Sequence, residues 1–238
     1  MNMTFRFKSG RALARLARVA LVVVLLFVLL PYVITPLYHL VNPVSSLMVW
    51  RWVTAERVER SWMPLRSMAS VLPRTVIAAE DARFCSHGGV DWQELREVLE
   101  EVDEVSDLRG GSTITQQTAK NLFLWPGRSY VRKALEIPLA MWMDLILGKR
   151  RVMEIYLNVA EWGPSGEFGV EAGARRAFGK SARAVTAHEA ALLAATLPNP
   201  VRRNAQRPGP GLRRLAGTYQ ARARGSGDAD ACLASRRR

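Results

Sequence analysis

Cysteine and histidine are scarce in this chain, and the scarcity narrows what it can be. Two cysteines among 238 residues, Cys85 and Cys232, are too few for a disulfide framework. In an oxidising compartment they could pair, but Cys232 falls in a terminal stretch whose composition reads as disordered, so neither is expected to matter to the fold. The three histidines, His39, His87 and His188, are scattered and offer no metal-ligand cluster. No segment of any length alternates with period two, which argues against a large sheet. Acids are outnumbered as well: 21 Asp and Glu face 34 Lys and Arg, nearly all Arg, for a net charge of +13. Such a balance suggests a polyanionic partner, whether nucleic acid, an anionic membrane or a phosphorylated substrate.

A further absence narrows the partner. Residues 19–41 contain no Asp, Glu, Lys or Arg, whereas Arg6, Lys8, Arg11, Arg15 and Arg18 precede them. About twenty apolar residues span a bilayer core as a helix, and the basic flank predicts a cytoplasmic N-terminus with the remainder exported. A cleaved signal peptide would want a small-residue cleavage site after the apolar run, yet residues 21–54 hold no Ala or Gly. The organisation read here is a basic N-terminus (1–18), an uncleaved transmembrane anchor (19–41) and a juxtamembrane linker (42–56). Pro31 and Pro36 kink or end the helix rather than forbid it. Removing residues 1–41 is expected to leave a folded, soluble domain. The anchor accounts for membrane association and argues against a nucleic-acid partner.

From about 57 to 200 the pattern is helical almost throughout, so the domain should be mainly α. "TAHEAALLAATLP" opens on Thr186 with Glu189 at capping-box spacing and stops near Pro198. "GGSTITQQTAKNLFL" places Thr113 and Gln116 at the same spacing before a helix to about Leu122. The stretch from Tyr130 reads as a helix kinked near Pro138, broken at Gly148 and resumed to Asn158. Residues 91–108 hold eight acids against one Arg, a solvated helix face or a mobile flap. Residues 201–238, rich in Arg, Gly and Pro, read as a basic, flexible tail whose Arg203 serves membrane contact alone.

Two apparent motifs fail on spacing. "GKS" at 179–181 lacks a glycine at the distance a phosphate loop needs, and Ser112 lacks the second glycine of a nucleophile elbow. The 110–120 stretch is more informative. A glycine pair lets backbone approach a ligand, and the helix start behind it offers free N–H groups to an anion. Gln116 and Lys120 stand at i, i+4, and Arg128, Arg132, Lys133 and Glu136 follow. A cationic pocket with one carboxylate would suit a diphosphate, although Arg132 and Glu136 would also serve as an exposed ion pair. Upstream, "AAEDARFCSHGGVDW" sets Glu80 and Asp81 side by side, either the solvated end of a helix or a catalytic base with its neighbour.

The order of the pieces decides. "EDARFCSHGGVD", "RGGSTITQQTAKNLFLW", "GRSYVRKALE", "KRRVMEIYLNVAEWG" and "AALLAATLPNP" resemble, in sequence, the five motifs of the peptidoglycan glycosyltransferases, family-51 glycosyltransferases found alone or as the first domain of class A penicillin-binding proteins. The resemblance covers residues 57–200 and is to the monofunctional biosynthetic form. No Ser-x-x-Lys or Lys-Thr-Gly occurs, so a transpeptidase domain is absent from this sequence. It implies a lysozyme-like α-helical domain with a smaller membrane-proximal lobe.

What the resemblance implies for residues follows the motifs. Glu80 matches the catalytic base and Asp81 its positioning neighbour; Phe84 and His87 shape the pocket. Ser112, Thr113, Gln116, Gln117, Lys120, Arg128, Arg132 and Lys133 match positions lining the donor diphosphate, and Glu136 matches the second carboxylate. Tyr156 and Asn158 match the fourth motif, read as structural. Cys85 inside the first motif and Asp144, where relatives often carry Glu, are departures. The implied reaction joins lipid II units: the donor is a glycan linked to undecaprenyl diphosphate, the acceptor the 4-hydroxyl of lipid II, and inversion gives a β-1,4 bond. Glu136 either orients the cations or helps bind a divalent ion at the diphosphate; no cofactor is required. Expected partners are lipid II, the lipid-linked glycan, the membrane, and cell-wall synthesis or division proteins. Rival readings are a lysozyme-like hydrolase and an inactive scaffold.

Overall fold

The computed structural model describes residues 6–100, 111–127 and 129–234. Nine α-helices run in order along them: α1 Arg6–Ile34, α2 Ser46–Val53, α3 Val71–Glu80, α4 Trp92–Glu100, α5 Ile114–Phe123, α6 Tyr130–Val159, α7 Val170–Phe178, α8 Ala187–Thr196 and α9 Pro210–Gly225. The described strands are two of two residues each, β1 Glu59–Arg60 and β2 Glu167–Phe168, paired in parallel. The mainly α reading is correct.

Local chemistry explains where the helices begin and bend. Both capping boxes form: Thr113 with Gln116 opens α5 and Thr186 with Glu189 opens α8. In each, one side chain satisfies a helix-start N–H while its partner reaches back to the cap. Ser45 and Ser129 cap α2 and α6 with single bonds. Within α6, Gly148 takes a positive φ of 69° and breaks the helical path, a conformation that costs a residue without Cβ little. Helix α3 stops at Glu80 because Asp81 leaves the helical region at φ −165°, ψ 75°.

Two packed groups position the site. Helices α5 and α6 lie along one another, and α3, α8 and α9 form a second cluster joined to them through one continuous core. Phe84, Tyr156, Met143 and Leu193 are fully buried there. Gly89 lies so close to α6 that a Cβ would stand 2.5 Å from the Ala140 carbonyl oxygen, which fixes the loop after α3 against that helix.

Two expectations are overturned. Residues 201–234 do not form a structureless tail: Leu212, Leu215, Ala216, Tyr219 and Ala223 face inward from α9 onto α3 and α8. Their i, i+3, i+4, i+7 spacing is an amphipathic stripe, and burying each large apolar side chain contributes about 1.5–3 kcal/mol. Cysteine matters as well, because Cys85 and Cys232 form a disulfide.

The anchor region is tied to the domain it serves. The apolar helical stretch Ala12–His39 is long enough to cross a membrane. Its lower end docks on α6: Trp142 Nε1 donates to the Tyr32 carbonyl at 3.1 Å, Arg151 Nε to the Tyr38 carbonyl at 2.7 Å, and the His39 ring bonds the Ile146 carbonyl at 2.9 Å. Tyr38 stacks on Phe123 of α5.

Candidate active site

Glu80 ends α3 and faces α5. Its Oε2 accepts from Gln117 Nε2 at 3.0 Å, and Gln117 Oε1 accepts from the Tyr156 phenol at 2.9 Å. Burial pushes the Glu80 carboxyl above its ordinary range; the Gln117 bond and the charges of Lys120 and Arg203 pull it back, while Asp81 adds to the rise. A half-buried carboxyl raised in this way, with a neutral donor fixed on one oxygen, has the character of a general base.

Asp81 works inward. Its Oδ2 accepts from the Ile114 N–H at 2.9 Å, at the start of α5, and His87 Nε2 donates to its Oδ1, also at 2.9 Å. His87 Nδ1 faces Lys149 Nζ at 3.5 Å, and the Lys149 ammonium lies 4.6 Å over the Phe84 ring. Asp81, Phe84 and His87 thus set the loop between α3 and α4 in place.

Beyond Glu80 stands a group of cations. Burial lowers the Lys120 and Lys133 ammonium pKa values from their ordinary range, and Glu136 partly offsets the fall for both. Lys133 Nζ donates to Ser112 Oγ at 2.7 Å and lies 3.6 Å from Glu136; Arg132 pairs with the other Glu136 oxygen. Two ammoniums held partly desolvated gain most when an anion arrives. Lys120, Arg132, Gln117 and Tyr156 line a cavity of about 410 Å³, walled also by Ser46 and Leu47 at the start of α2.

The structure brings together Glu80, Gln117, Lys120, Ser112, Arg132, Lys133 and Glu136, but it redistributes their neighbours. Thr113 and Gln116 are buried in the α5 capping box, so it is Gln117, not Gln116, that shares the cleft with Lys120. Arg128 lies outside the described residues, as do residues 101–108 of the acidic segment, whose first part forms α4. Asn158 has the structural part expected of it, bonding both backbone groups of Met63, whereas Tyr156 reaches into the site through Gln117. Arg203 and Tyr219 were missed: the Arg203 charge favours the Glu80 carboxylate, and the Glu80 charge helps raise the Tyr219 phenol. The stripe on α9 was the signal that could have found Tyr219; Arg203, which lies before that helix, had none.

A metal fits poorly here. Glu136 is a single carboxylate already under two cations. Folding does assemble one cluster that spacing did not reveal, Asp81, His87 and Asp91, with ligating atoms within 4.8 Å of one another. Its carboxylates are engaged by Ile114 N–H, Arg83 and the Glu94 N–H.

Comparison with known proteins places these features in a family. A family model described as Transglycosylase matches residues 48–221. Three curated proteins, each named biosynthetic peptidoglycan transglycosylase, are similar along most of their length. That of Nitrobacter winogradskyi is 64% identical over 196 residues, 82% of this chain and 87% of the relative. That of Rhodopseudomonas palustris strain HaA2 is 62% identical over 211 residues, 88% and 93%. That of Rhizobium johnstonii is 50% identical over 229 residues, 95% and 91%.

Proposed function

The chain belongs to the transglycosylase family, and from that premise we propose how its residues carry out the reaction. It is a peptidoglycan glycosyltransferase that polymerises glycan strands, with lipid II as substrate and the membrane as its place of work. The match runs to residue 221, within α9, which supports reading that helix as part of the catalytic domain.

Glu80 is the general base. A sugar hydroxyl is a weak nucleophile near neutral pH, so its proton must leave as the new bond forms. The carboxylate receives it, while the Gln117 amide keeps that carboxylate aimed. Attack on the donor C1 expels undecaprenyl diphosphate and inverts the centre to a β-1,4 linkage. Charge that builds on the departing diphosphate meets Lys120 and Lys133, with Arg128 joining them by its motif position. Cations already desolvated act strongly in such a site. Glu136 holds Arg132 and Lys133 in place, and no metal step is needed.

The observation that carries this reading is the adjacency of Glu80, bonded to Gln117, with the Lys120–Lys133–Arg132 group. A hydrolase acting on neutral glycan has no diphosphate to hold.

At the membrane, Trp50, Trp52 and Val53 of α2 and Leu145 of α6 are more than half exposed among the described residues. Two apolar stretches, LFLW at 122–125 and MWMDLIL at 141–147, divide: Leu122, Leu124, Met143 and Leu147 belong to the core, while Trp125, Met141 and Leu145 are exposed. Aromatic and apolar side chains of this kind suit the interface, where the substrates' lipid tails remain. The basic flank of α1 supports a cytoplasmic N-terminus with the catalytic domain on the outer face.

The test is purified protein with labelled lipid II. Glu80→Gln should lower turnover by about 10²-fold or more while lipid II binding persists. Near-normal turnover would remove Glu80 from this role. With lipid-free sacculi, no soluble muropeptides should appear; their release without lipid II consumption would make the enzyme a hydrolase.

A further inference from the structure

The first-motif loop is tied covalently to the far end of the chain. Cys85 and Cys232 are bonded across a sequence separation of 147, with Cα atoms 5.5 Å apart. Cys232 lies in the short 3-10 turn Ala231–Leu233, and that turn is seated by further contacts. Arg150 of α6 donates to the Leu233 carbonyl at 2.6 Å, Arg74 of α3 pairs with Asp230 at 3.0 Å, and the Leu233 side chain is buried. On the other side, Cys85 follows core Phe84 and stands two residues before His87, the partner of Asp81. The turn therefore touches α3, α6 and the loop between Glu80 and α4, three pieces that fix where the carboxylate stands.

We propose that the Cys85–Cys232 bond is a redox-controlled positioning strap for the transfer site: oxidised, it holds the loop after Glu80 in transfer geometry, and reduced, it lets loop and C-terminal turn separate and slows transfer. The inference rests on the reading of Glu80 as base.

The loop has no regular structure to hold its shape. Residues 81–91 are turns and bends, secured by Phe84 burial, the His87–Asp81 and Arg83–Asp91 bonds, the Asp81–Ile114 bond and the strap. Loss of one tether among several loosens such a segment without unfolding the domain. Displacing a catalytic group by about 1 Å can lower a rate by ~10²-fold, and partial loosening should have a smaller effect. Both sulfurs belong to half-buried residues, so a thiolate reaches them. Formation takes one proton and one electron from each thiol, passed to a disulfide-bearing oxidant that departs as a dithiol. A dithiol reductant reverses the step and leaves as a disulfide. An exported domain meets oxidants of this class.

The experiment uses full-length enzyme in detergent, as isolated, after dithiothreitol, and after reoxidation, alongside the double variant Cys85→Ser/Cys232→Ser. Maleimide mass labelling should find no free thiol as isolated and two after reduction. On lipid II, kcat should fall by about tenfold on reduction with KM little changed, in keeping with misplacement of a catalytic group, and reoxidation should restore it. The double variant should turn over at the reduced rate and ignore dithiothreitol. Hydrogen exchange should quicken in residues 81–91 and 229–234 alone. Free thiols as isolated, an unchanged kcat on reduction, or exchange that quickens across the whole domain would each overturn the strap. An oxidised enzyme that consumes no lipid II would instead overturn the functional reading, and localised exchange would still decide the strap.

Discussion

The Tyr156 phenol donates to Gln117 Oε1 at 2.9 Å, and that bond decides which way the Gln117 amide faces. With the oxygen occupied, Nε2 is turned to Glu80 at 3.0 Å. Burial, with Glu80 and Asp81 nearby, pushes the phenol well above its ordinary pKa, so it stays a donor throughout the working range. The base is therefore aimed by a neutral residue that is itself aimed by a buried one.

Tyr156→Phe should disturb the base without touching it. It strands Gln117 Oε1, and an unsatisfied buried acceptor costs about 1–3 kcal/mol, so the amide gains reason to turn. The Gln117 bond favours the Glu80 carboxylate. Weakening it moves the acid limb of the rate–pH profile to higher pH, with turnover down by about tenfold, less than loss of the base itself. A profile that overlays the parent's would show that Gln117 needs no such orientation.

Glu80→Gln should be more stable than the parent at neutral pH. Burial raises the folded-state pKa above the unfolded value, so this group favours the fold below the unfolded pKa and loses that contribution as pH rises through the folded one. At pH 7 the ionised side chain is a cost, and the neutral isostere removes it. Thermal melts should show a gain at pH 7 that shrinks toward pH 4. A lower melting temperature at pH 7 would contradict the sign.

Lys120→Ala and Lys133→Ala should each lower turnover by roughly 10²-fold, typical of losing one electrostatic stabiliser. Lys133→Ala also releases Ser112 and leaves Glu136 with Arg132 alone. Arg224→Ala, an exposed cation on α9, should stay near the parent rate. Equal losses at all three positions would mean that basic charge acts non-specifically.

Arg203 is expected to act on the base, contrary to its reading as a tail residue. Its guanidinium donates to the Ala195 carbonyl at 2.7 Å and its charge favours the Glu80 carboxylate. The groups around that carboxylate are Asp81 on the same turn, Gln117 and Lys120 on α5, Tyr156 on α6, Tyr219 on α9 and Arg203. Arg203→Gln removes one of the two cations, so the acid limb should move to higher pH, and Arg203→Lys should restore much of it. An immobile limb would confine Arg203 to α8.

Truncation should distinguish the spanning part of the anchor from its docked end. Removing residues 1–30 keeps the contacts of Tyr32, Tyr38 and His39 with α6. Such a protein should fold and melt near the full chain in detergent. Removing residues 1–41 deletes those contacts and uncovers Phe123, so it should melt several degrees lower, as a loss of about 1–2 kcal/mol gives in a chain of this size. Equal melting of the two would return the anchor to a mere tether.

By itself the sequence determined what depends on neighbours in the chain. Capping boxes act over three residues, so Thr113 and Thr186 marked the starts of α5 and α8. A charge-free run of bilayer length marked the anchor, and motif order marked Glu80, Lys120 and Glu136. Its failures share a cause. In residues 201–234 the Arg, Gly and Pro content hid the stripe from Leu212 to Ala223, because composition sums over a window and ignores periodicity. Of the partners that stripe needed, α8 is the preceding helix, but α3 is far away in sequence. Which glutamine faces the base was likewise undecided locally, since Gln116 and Gln117 differ by about 100° around one helix and only packing says which side is the cleft. The disulfide, the Tyr156–Gln117 bond and the Arg203 charge beside Glu80 each join residues tens of positions apart or more. Such pairs have no spacing signature, and tertiary structure alone brings them within reach of the carboxylate.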